Sequence, residues 1–319
     1  MGENFKDSTV ESLNSRVHLK NEELDFSDEH KKVFDKWIDR ECLSRCLQAN
    51  AFMNLQEEDL LEKTLEQIFA TIDWRVSFKV DQIDPNKLGP SLRCGEAYLS
   101  PGRGKLGQPI FIFKKVPSRK QYDPNYVKAA VYLMEEAVRQ MDSNCSMKKW
   151  IVLSDLRNWT PQNMLPLSLA RELVSILQNH YRERLFRVYV INAPWYFNVT
   201  WNLLRPLMDP DTVKKIRFLS APPQGTPLST FFEEDIEITH LENHFGGELE
   251  FDFNFERDIL GMTLSESMAV QRKLAEKQMV NIPRKDTRTR NAIWFVVYLL
   301  FVNVFAIFFI IFFLSKVVG

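Results

Sequence analysis

Apolar residues recur at helical spacing in the first third of the chain, after a polar start. Residues 1–27 show little periodicity, which predicts a mobile polar arm. Ser27 can cap a helix that begins near Asp28, and a second helix is predicted at about 56–78. The apolar positions are Val33, Phe34, Trp37, Ile38, Leu43 and Leu47 in the first helix and Leu60, Leu61, Leu65, Ile68, Phe69, Ile72 and Val76 in the second. Together they predict a helical lobe over residues 28–95.

Short apolar runs alternate with helical periodicity in the middle of the chain. Strands are predicted where β-branched and aromatic residues cluster, at 110–113, 150–154, 186–191 and 214–219. Helices are predicted between them at about 125–141 and 161–181. Strands joined by helices in this order imply a mainly parallel sheet with right-handed crossovers. The expected fold class is therefore α/β, with this domain over residues 96–255.

The segment between the last two predicted strands has its own apolar pattern. Asn192-Ala193-Pro194 ends a strand, and proline suits a first helical turn because it lacks the N–H group that is unpaired there. Apolar residues then recur at mixed three- and four-residue spacings, at Trp195, Val199, Trp201, Leu203, Leu204 and Leu207. Asp209-Pro210-Asp211 has turn chemistry. The pattern predicts a helix with a broad apolar face.

The stretch from Glu183 to Phe218 resembles a known sequence signature. It matches the pattern NAP…F…W…KP-L-D-P-x-T-x-x-KI of the CRAL-TRIO lipid-binding family. In that family the helix after the NAP tripeptide is a gate over a hydrophobic lipid pocket. The resemblance implies that the gate helix and the pocket are formed by Trp195, Phe197, Val199, Trp201, Leu203, Leu204 and Leu207.

Weaker matches extend the resemblance over roughly residues 30–250. The family pattern L-x-R-x-L-R-A-R-x-F corresponds to residues 43–52, although Gln48 and Asn50 replace two customary basic residues. Further matches are Trp74-Arg75, Gly107-Gln108-Pro109-Ile110, Asp155-Leu156-Arg157-Asn158 and Phe245-Gly246-Gly247. The resemblance implies a helical N-terminal lobe, then a mainly parallel sheet with a helical gate over a lipid pocket.

Three polar residues are implied by the resemblance as headgroup contacts. Glu183, Thr212 and Lys215 occupy the positions that contact the inositol phosphate in phosphatidylinositol-binding family members. Lysine can act as a point charge for phosphate, and a carboxylate can accept hydrogen bonds from inositol hydroxyls. The alternative is that Glu183 and Lys215 form a surface ion pair. Arg182 replaces the usual proline before Glu183.

The last part of the chain is strongly apolar. From Ala292 to Leu314 only Asn303 is strongly polar, and at about 1.5 Å per residue this run exceeds the roughly 30 Å hydrocarbon core. The basic residues before it are Arg284, Lys285, Arg288 and Arg290, and only Lys316 follows. The positive-inside bias then predicts a single-pass tail-anchored protein with its domain in the cytosol. The long apolar anchor favours the endoplasmic reticulum membrane, and residues 256–291 are expected to form a linker helix and basic juxtamembrane segment.

Composition and motifs weigh against several other functions. The net charge of −1 and the lack of a basic stripe argue against nucleic-acid binding. The cysteines Cys42, Cys46, Cys94 and Cys145 form no zinc set, and neither do His240 and His244. Lys105 is followed by leucine, so the glycine-rich loop at 101–109 is not a phosphate loop. No G-x-S-x-G motif is present. We expect no enzyme activity, no metal and no cofactor other than a bound lipid.

The leading hypothesis is a membrane-anchored protein that binds one phospholipid, with a phosphoinositide favoured, and presents or transfers it near its membrane. The alternative is a membrane-anchored protein-interaction scaffold or signalling regulator with a non-exchanging domain. Residues 231–235 and 250–253 resemble acidic-aromatic docking motifs for contact-site receptors, although packing within the fold explains the first. The expected partners are thus a lipid ligand, the membrane through residues 292–314, and a contact-site or signalling protein.

Overall fold

A computed structural model describes residues 7–53, 55–115, 124–141, 145–160, 163–219 and 226–280. The chain divides into two units, Met1–Met262 and Thr263–Gly319. The predicted membrane-spanning run from Ala292 to Leu314 lies outside the described residues. Within the described ranges, no helix combines the length and apolarity needed to cross a membrane.

Eleven α-helices and five strands are assigned in the described part of the chain. The helices are α1 Asp7–Glu23, α2 Asp28–Trp37, α3 Arg40–Asn50, α4 Glu57–Phe78, α5 Gly89–Leu92, α6 Tyr126–Arg139, α7 Leu167–His180, α8 Phe197–Leu204, α9 Pro210–Lys214, α10 Phe255–Asp258 and α11 Leu264–Val280. The strands are β1 Ala97–Arg103, β2 Pro109–Lys114, β3 Trp150–Asp155, β4 Leu185–Ile191 and β5 Ile216–Leu219. Helix α11 is the described element of the second unit.

The first helix corrects the prediction that residues 1–27 form a mobile arm. Helix α1 buries Val10, Leu13 and Val17 in the same core as α2, α3 and α4, and the side chains of Leu13 and Val17 are fully buried. Their spacing of three and four residues places them on one face. The prediction is wrong because only three buried apolar residues in a polar helix give a narrow stripe, and a narrow stripe is a weak periodic signal.

The next predicted helix is divided in two at Ile38. Ser27 caps α2 as predicted, since its side chain accepts a hydrogen bond from the backbone N–H of His30. Asp39 caps α3 by accepting a 2.6 Å hydrogen bond from the backbone N–H of Cys42. Asp39 is thus a second cap residue within the predicted run, and it starts a new helix. The buried sides of both helices pack against α4.

The five strands form one sheet in the order β1-β2-β3-β4-β5. Strands β2 to β5 are parallel, which confirms the mainly parallel sheet, and β1 pairs antiparallel with β2. The glycine-rich loop is the hairpin between β1 and β2. Gly107 has a φ of 80° there, a conformation that favours glycine. Strand β1 is absent from the sequence prediction because Pro101 and Gly102, which are unusual inside a strand, fall at its register shift.

The two faces of the sheet are covered differently. One face packs on the segment after β5, where Phe232 and Phe245 are fully buried against β1 to β4. Phe253 stacks on Tyr98 with ring centroids 4.9 Å apart. The acidic-aromatic stretches therefore place aromatic rings in the core of the fold. The other face carries α6 and α7 over β2 and β3.

The predicted domain boundary at residue 255 falls inside α10. Glu256 is 2% exposed and lies 2.6 Å from Arg93, and Phe255 packs with Leu88 and Leu133. Residues 256–262 therefore belong to the first unit rather than to a linker. The sequence prediction was wrong here because the burial of Glu256 depends on Arg93, a partner distant in sequence.

Candidate lipid-binding site

Helix α8 lies in the connection from β4 to β5 and carries apolar side chains on two sides. Pro194 begins a turn in which its carbonyl accepts a 2.8 Å hydrogen bond from the N–H of Phe197, where the helix starts. Trp195, Val199 and Leu203 are 85%, 66% and 54% exposed. Phe197, Trp201, Leu204 and Leu207 are partly buried instead. The broad apolar face predicted from sequence is thus divided between a solvent-facing side and a sheet-facing side.

The sheet-facing side of α8 covers the β4 and β5 part of the sheet. Phe197 and Trp159 make an edge contact with ring centroids 5.3 Å apart, in a cluster with Val188, Val190 and Ile216. Trp201 contacts Phe218 at a centroid distance of 5.0 Å. Phe218 is nevertheless 43% exposed, and Val188 and Ile216 are only partly buried. The floor under the helix is therefore apolar and incompletely covered by the described residues.

A charged cluster lies at the amino ends of the same parallel strands. Oε2 of Glu183 is 2.7 Å from Nζ of Lys149 and 3.4 Å from Nζ of Lys215. Lys149 directly precedes β3, Glu183 precedes β4 and Lys215 directly precedes β5. The three side chains are about one-fifth exposed, at 19%, 23% and 23% for Lys149, Glu183 and Lys215. The structure thus brings two of the predicted headgroup residues together and adds a second lysine.

The charge state of this cluster is set by opposing effects on Glu183. Burial acts to raise the pKa of Glu183, but the hydrogen bond from Lys149 and the positive charges of Lys149 and Lys215 outweigh it, and the pKa is lowered. The carboxylate is therefore ionised at neutral pH and the cluster has two cations for one anion. A phosphate group next to the lysines would meet an excess of positive charge.

Thr212 lies near this cluster but has a structural contact. Its hydroxyl donates a 2.6 Å hydrogen bond to Oδ2 of Asp209, and its backbone N–H donates to Oδ1 of the same carboxylate at 2.7 Å. Asp209 is the N-cap of α9, so the Thr212 side chain supports the cap. The remaining acceptor capacity of the hydroxyl is what this residue could offer a ligand.

A second polar group lies at the carboxyl end of β3. Lys114, Lys115, Asp155, Arg157, Asn158 and His244 surround a cavity of about 80 Å³. Nε2 of His244 is 2.7 Å from Oδ2 of Asp155, and Asn192 donates to Oδ1 at 2.9 Å. Burial acts to raise the pKa of Asp155, but the hydrogen bonds from His244, Asn192 and the Arg157 N–H lower it to about 2. His244 is thus part of a polar network. His240 accepts a hydrogen bond from the Arg103 N–H.

Comparison with known proteins identifies the family that this fold resembles. The profile of the CRAL/TRIO domain matches residues 94–247, which span all five strands and α8. This part of the chain is therefore similar to CRAL/TRIO domains. The helix after the NAP tripeptide lies within the matched residues, and the N-terminal helical lobe precedes them.

Relatives of this chain include two yeast proteins. A CRAL-TRIO domain-containing protein of Schizosaccharomyces pombe is 27% identical over 69% of this chain and 20% of its own length. The phosphatidylinositol transfer protein PDR17 of Saccharomyces cerevisiae is 26% identical over 69% of this chain and 61% of its own length. The chain thus spans less than two thirds of either relative. The crystal structure of Sfh5 superposes with a TM-score of 0.59 at 16% identity, covering 86% of this chain and all of the other, which shows the shared fold.

Lys149 is the residue of the charged cluster that sequence reasoning missed. The signal for it was the pair Lys148-Lys149 immediately before a predicted strand. Because parallel strands begin at the same edge of a sheet, a charge just before β3 lies near charges just before β4 and β5. Nothing in the linear sequence indicates that Lys149 rather than Lys148 turns to Glu183.

Proposed function

We propose that the chain binds a single phospholipid between α8 and the apolar β4 and β5 part of the sheet, and presents or transfers it near a membrane. The observation that carries the proposal is the incomplete cover over the β4 and β5 floor, where α8 leaves Phe218 43% exposed while turning Trp195 to solvent. An acyl chain could cover this apolar surface, which would remove both lipid and protein groups from water. The similarity to PDR17, a phosphatidylinositol transfer protein, supports lipid transfer as the activity.

The charged cluster at the other end of the strands favours an anionic headgroup. Lys149 and Lys215 offer two ammonium groups, and Glu183 can accept hydrogen bonds from sugar hydroxyls. The lipid with both features is an inositol phospholipid, so a phosphoinositide is the favoured ligand. Binding and release require no nucleophile, and the proposed function is therefore not catalytic and needs no cofactor.

The apolar run near the end of the chain supports the proposal that this activity takes place beside one membrane. The apolar run at 292–314 has the length of a single-pass anchor, and the basic residues before it favour a cytosolic domain, with the endoplasmic reticulum as the proposed membrane. Tethering raises the effective concentration of the domain at that bilayer, and the linker limits its reach to a second one. Local presentation, or transfer across a membrane contact, fits this arrangement better than free diffusion.

Native mass spectrometry of the chain ending at Val280 tests the proposal. This chain keeps the whole compact unit Met1–Met262. It lacks the proposed anchor, because lipid bound around an anchor would add to the measured mass. After incubation with vesicles of phosphatidylcholine and phosphatidylinositol, we expect one added phospholipid mass. A charge at the sheet-facing Trp201 in Trp201→Glu should abolish it, whereas Asn202→Glu on the exposed side should not. Absence of any lipid mass would refute the proposal and favour the scaffold alternative.

A further inference from the structure

Two cysteines lie on the same face of α3, four residues apart. Cys42 is 1% exposed and Cys46 is 7% exposed. Side chains four positions apart on a helix are neighbours, with Cβ atoms about 5–6 Å from each other. The two thiols are close enough to interact. The pair is thus a dithiol held by one helix, and the proposed lipid-binding function does not use it.

A disulfide does not fit the spacing of this dithiol. The Cβ atoms of a disulfide are about 3.5–4.5 Å apart, which is closer than a regular helix places them. Neither cysteine is in a disulfide, and α3 continues through both positions from Arg40 to Asn50. An ion between the sulfurs suits the wider spacing, because it adds two metal–sulfur bonds, each of about 2.3 Å in the case of zinc.

The dithiol faces a cavity between the helical lobe and the loop that leads into β4. Cys42 and Cys46 both line this cavity. Its volume is about 50 Å³, which exceeds the roughly 10–15 Å³ that one water molecule needs. A small ion therefore has room beside the two sulfurs.

The described residues around the dithiol supply no third metal ligand. That part of the chain contains no group of three or more histidine, cysteine, aspartate or glutamate side chains that could hold a metal ion. His180 also lines the cavity, but its Nδ1 is 3.2 Å from the Thr71 hydroxyl and its ring stacks on Trp74 at a centroid distance of 4.1 Å. Structural zinc sites almost always have four ligands, so the dithiol favours an ion that two ligands satisfy.

Positive charges surround the dithiol. Three arginines that line the same cavity act electrostatically on Cys46. They are Arg45, Arg182 and Arg184. Asp39 is a carboxylate that acts on Cys42, and its Oδ1 already accepts the backbone N–H of Cys42 as the cap of α3. The surroundings therefore favour a bound species with a net negative charge.

We propose that Cys42 and Cys46 bind one monovalent thiophilic cation of the copper(I) class. Thiolates are soft ligands that select such ions, and copper(I) is stable with two thiolates in a line. Binding releases the thiol protons to water and leaves a complex with one negative charge, since two thiolates meet one positive ion. The arginine charges stabilise this complex, whereas a divalent ion would give a neutral complex and gain less from them. The proposal does not depend on the proposed lipid-binding function.

Competition with the copper(I) chelator bicinchoninate tests the site. The full-length chain is used in uncharged detergent, without oxygen and with ascorbate as the reductant. The natural protein should remove one equivalent of copper(I) from the chelator. Cys42→Ser and Cys46→Ser should each lose this equivalent, because one thiolate does not hold the ion alone, whereas Cys94→Ser should keep it. Retention of copper(I) by either variant of the pair, or its loss in Cys94→Ser, would overturn the proposal.

X-ray absorption at the copper edge of the loaded natural protein makes the test independent of whether the variants fold. The spectrum should show two sulfur neighbours in a linear arrangement. A third sulfur, or nitrogen or oxygen neighbours, would overturn the two-cysteine site, and so would a natural protein that takes up no copper(I).

The arginine charges are tested by Arg45→Gln in the same competition. This variant should bind copper(I) several-fold more weakly than the natural protein, because one of three positive charges is removed, while the bound equivalent stays the same. Arg171→Gln, at an exposed position of α7, is the control. Equal affinities of the two variants would contradict the part of the proposal that assigns a negative charge to the complex.

Discussion

Nζ of Lys149 lies 2.7 Å from Oε2 of Glu183, and this ion pair joins the amino ends of two neighbouring parallel strands. The backbone repeats the connection, because the N–H of Trp150 donates to the carbonyl of Arg184 at 2.7 Å. Lys215 adds the amino end of β5 through the same carboxylate oxygen. Glu183 is proposed to contact a lipid headgroup, and its ion pairs therefore also link the amino ends of three strands.

Glu183→Gln should lower the free energy of unfolding by about 1–2 kcal/mol at neutral pH, since it removes a charged hydrogen-bond acceptor from two lysines. The lowered pKa of Glu183 sets the sign of the pH dependence. A carboxylate with a depressed pKa stabilises the fold above its ordinary value of 4.5, and this stabilisation is lost as the pH falls through the depressed value. Urea unfolding should therefore separate variant and natural protein at neutral pH but not in acid. Glu172→Gln, at an exposed position of α7, is the control. An equal difference at both pH values would contradict the ionic explanation.

Helix α1 offers a test of the corrected N-terminal boundary with a matched pair of leucines. Leu13 is fully buried and Leu19 is 60% exposed in the same helix. Leu13→Ala should lower the free energy of unfolding by about 2–5 kcal/mol because it leaves a cavity in the lobe core. Leu19→Ala should change it by less than about 0.5 kcal/mol. Chemical denaturation measures both, and equal values for the two variants would show that α1 does not pack on the lobe.

The sequence predicted the elements with strong local patterns and missed those that depend on distant partners. The parallel strands β2 to β5 and the cap at Ser27 follow from short-range chemistry, and all are present. Strand β1 is stabilised by its pairing with β2, so the unfavourable Pro101 within it misled the local prediction. Motif matching brought Glu183 and Lys215 together. It could not find Lys149, because the proximity of Lys149 to Glu183 is a property of the sheet edge.

Asp155 should make the fold sensitive to strong acid. Its pKa is lowered from 3.8 to about 2, so its stabilisation is complete above about 3.8 and decreases as the pH falls through about 2. The size of the shift corresponds to about 2 kcal/mol at neutral pH. Asp155→Asn should lower the free energy of unfolding by this amount at neutral pH. In acid, its free energy of unfolding should depend less on pH than that of the natural protein. Asp211→Asn, whose carboxyl pairs with exposed Lys214, should do neither. If the stability of Asp155→Asn depends on acid pH as that of the natural protein does, the hydrogen bonds from His244 and Asn192 do not cause the acid sensitivity.

Trp195 should affect lipid exchange without affecting stability. Its side chain is 85% exposed at the start of the α8 segment, on the same side as Val199 and Leu203, so folding gains little from it. A large apolar ring held in water at a helix beside an apolar floor that the described residues cover incompletely is suited to contact lipid as the helix moves. Trp195→Ala should keep the free energy of unfolding within about 0.5 kcal/mol. It should slow the transfer of fluorescent phosphatidylinositol between vesicles at least several-fold. Met268→Ala, at a 61% exposed position of α11, controls for the loss of any exposed apolar side chain. If Trp195→Ala and Met268→Ala transfer lipid at equal rates, α8 is not the element that opens to the ligand.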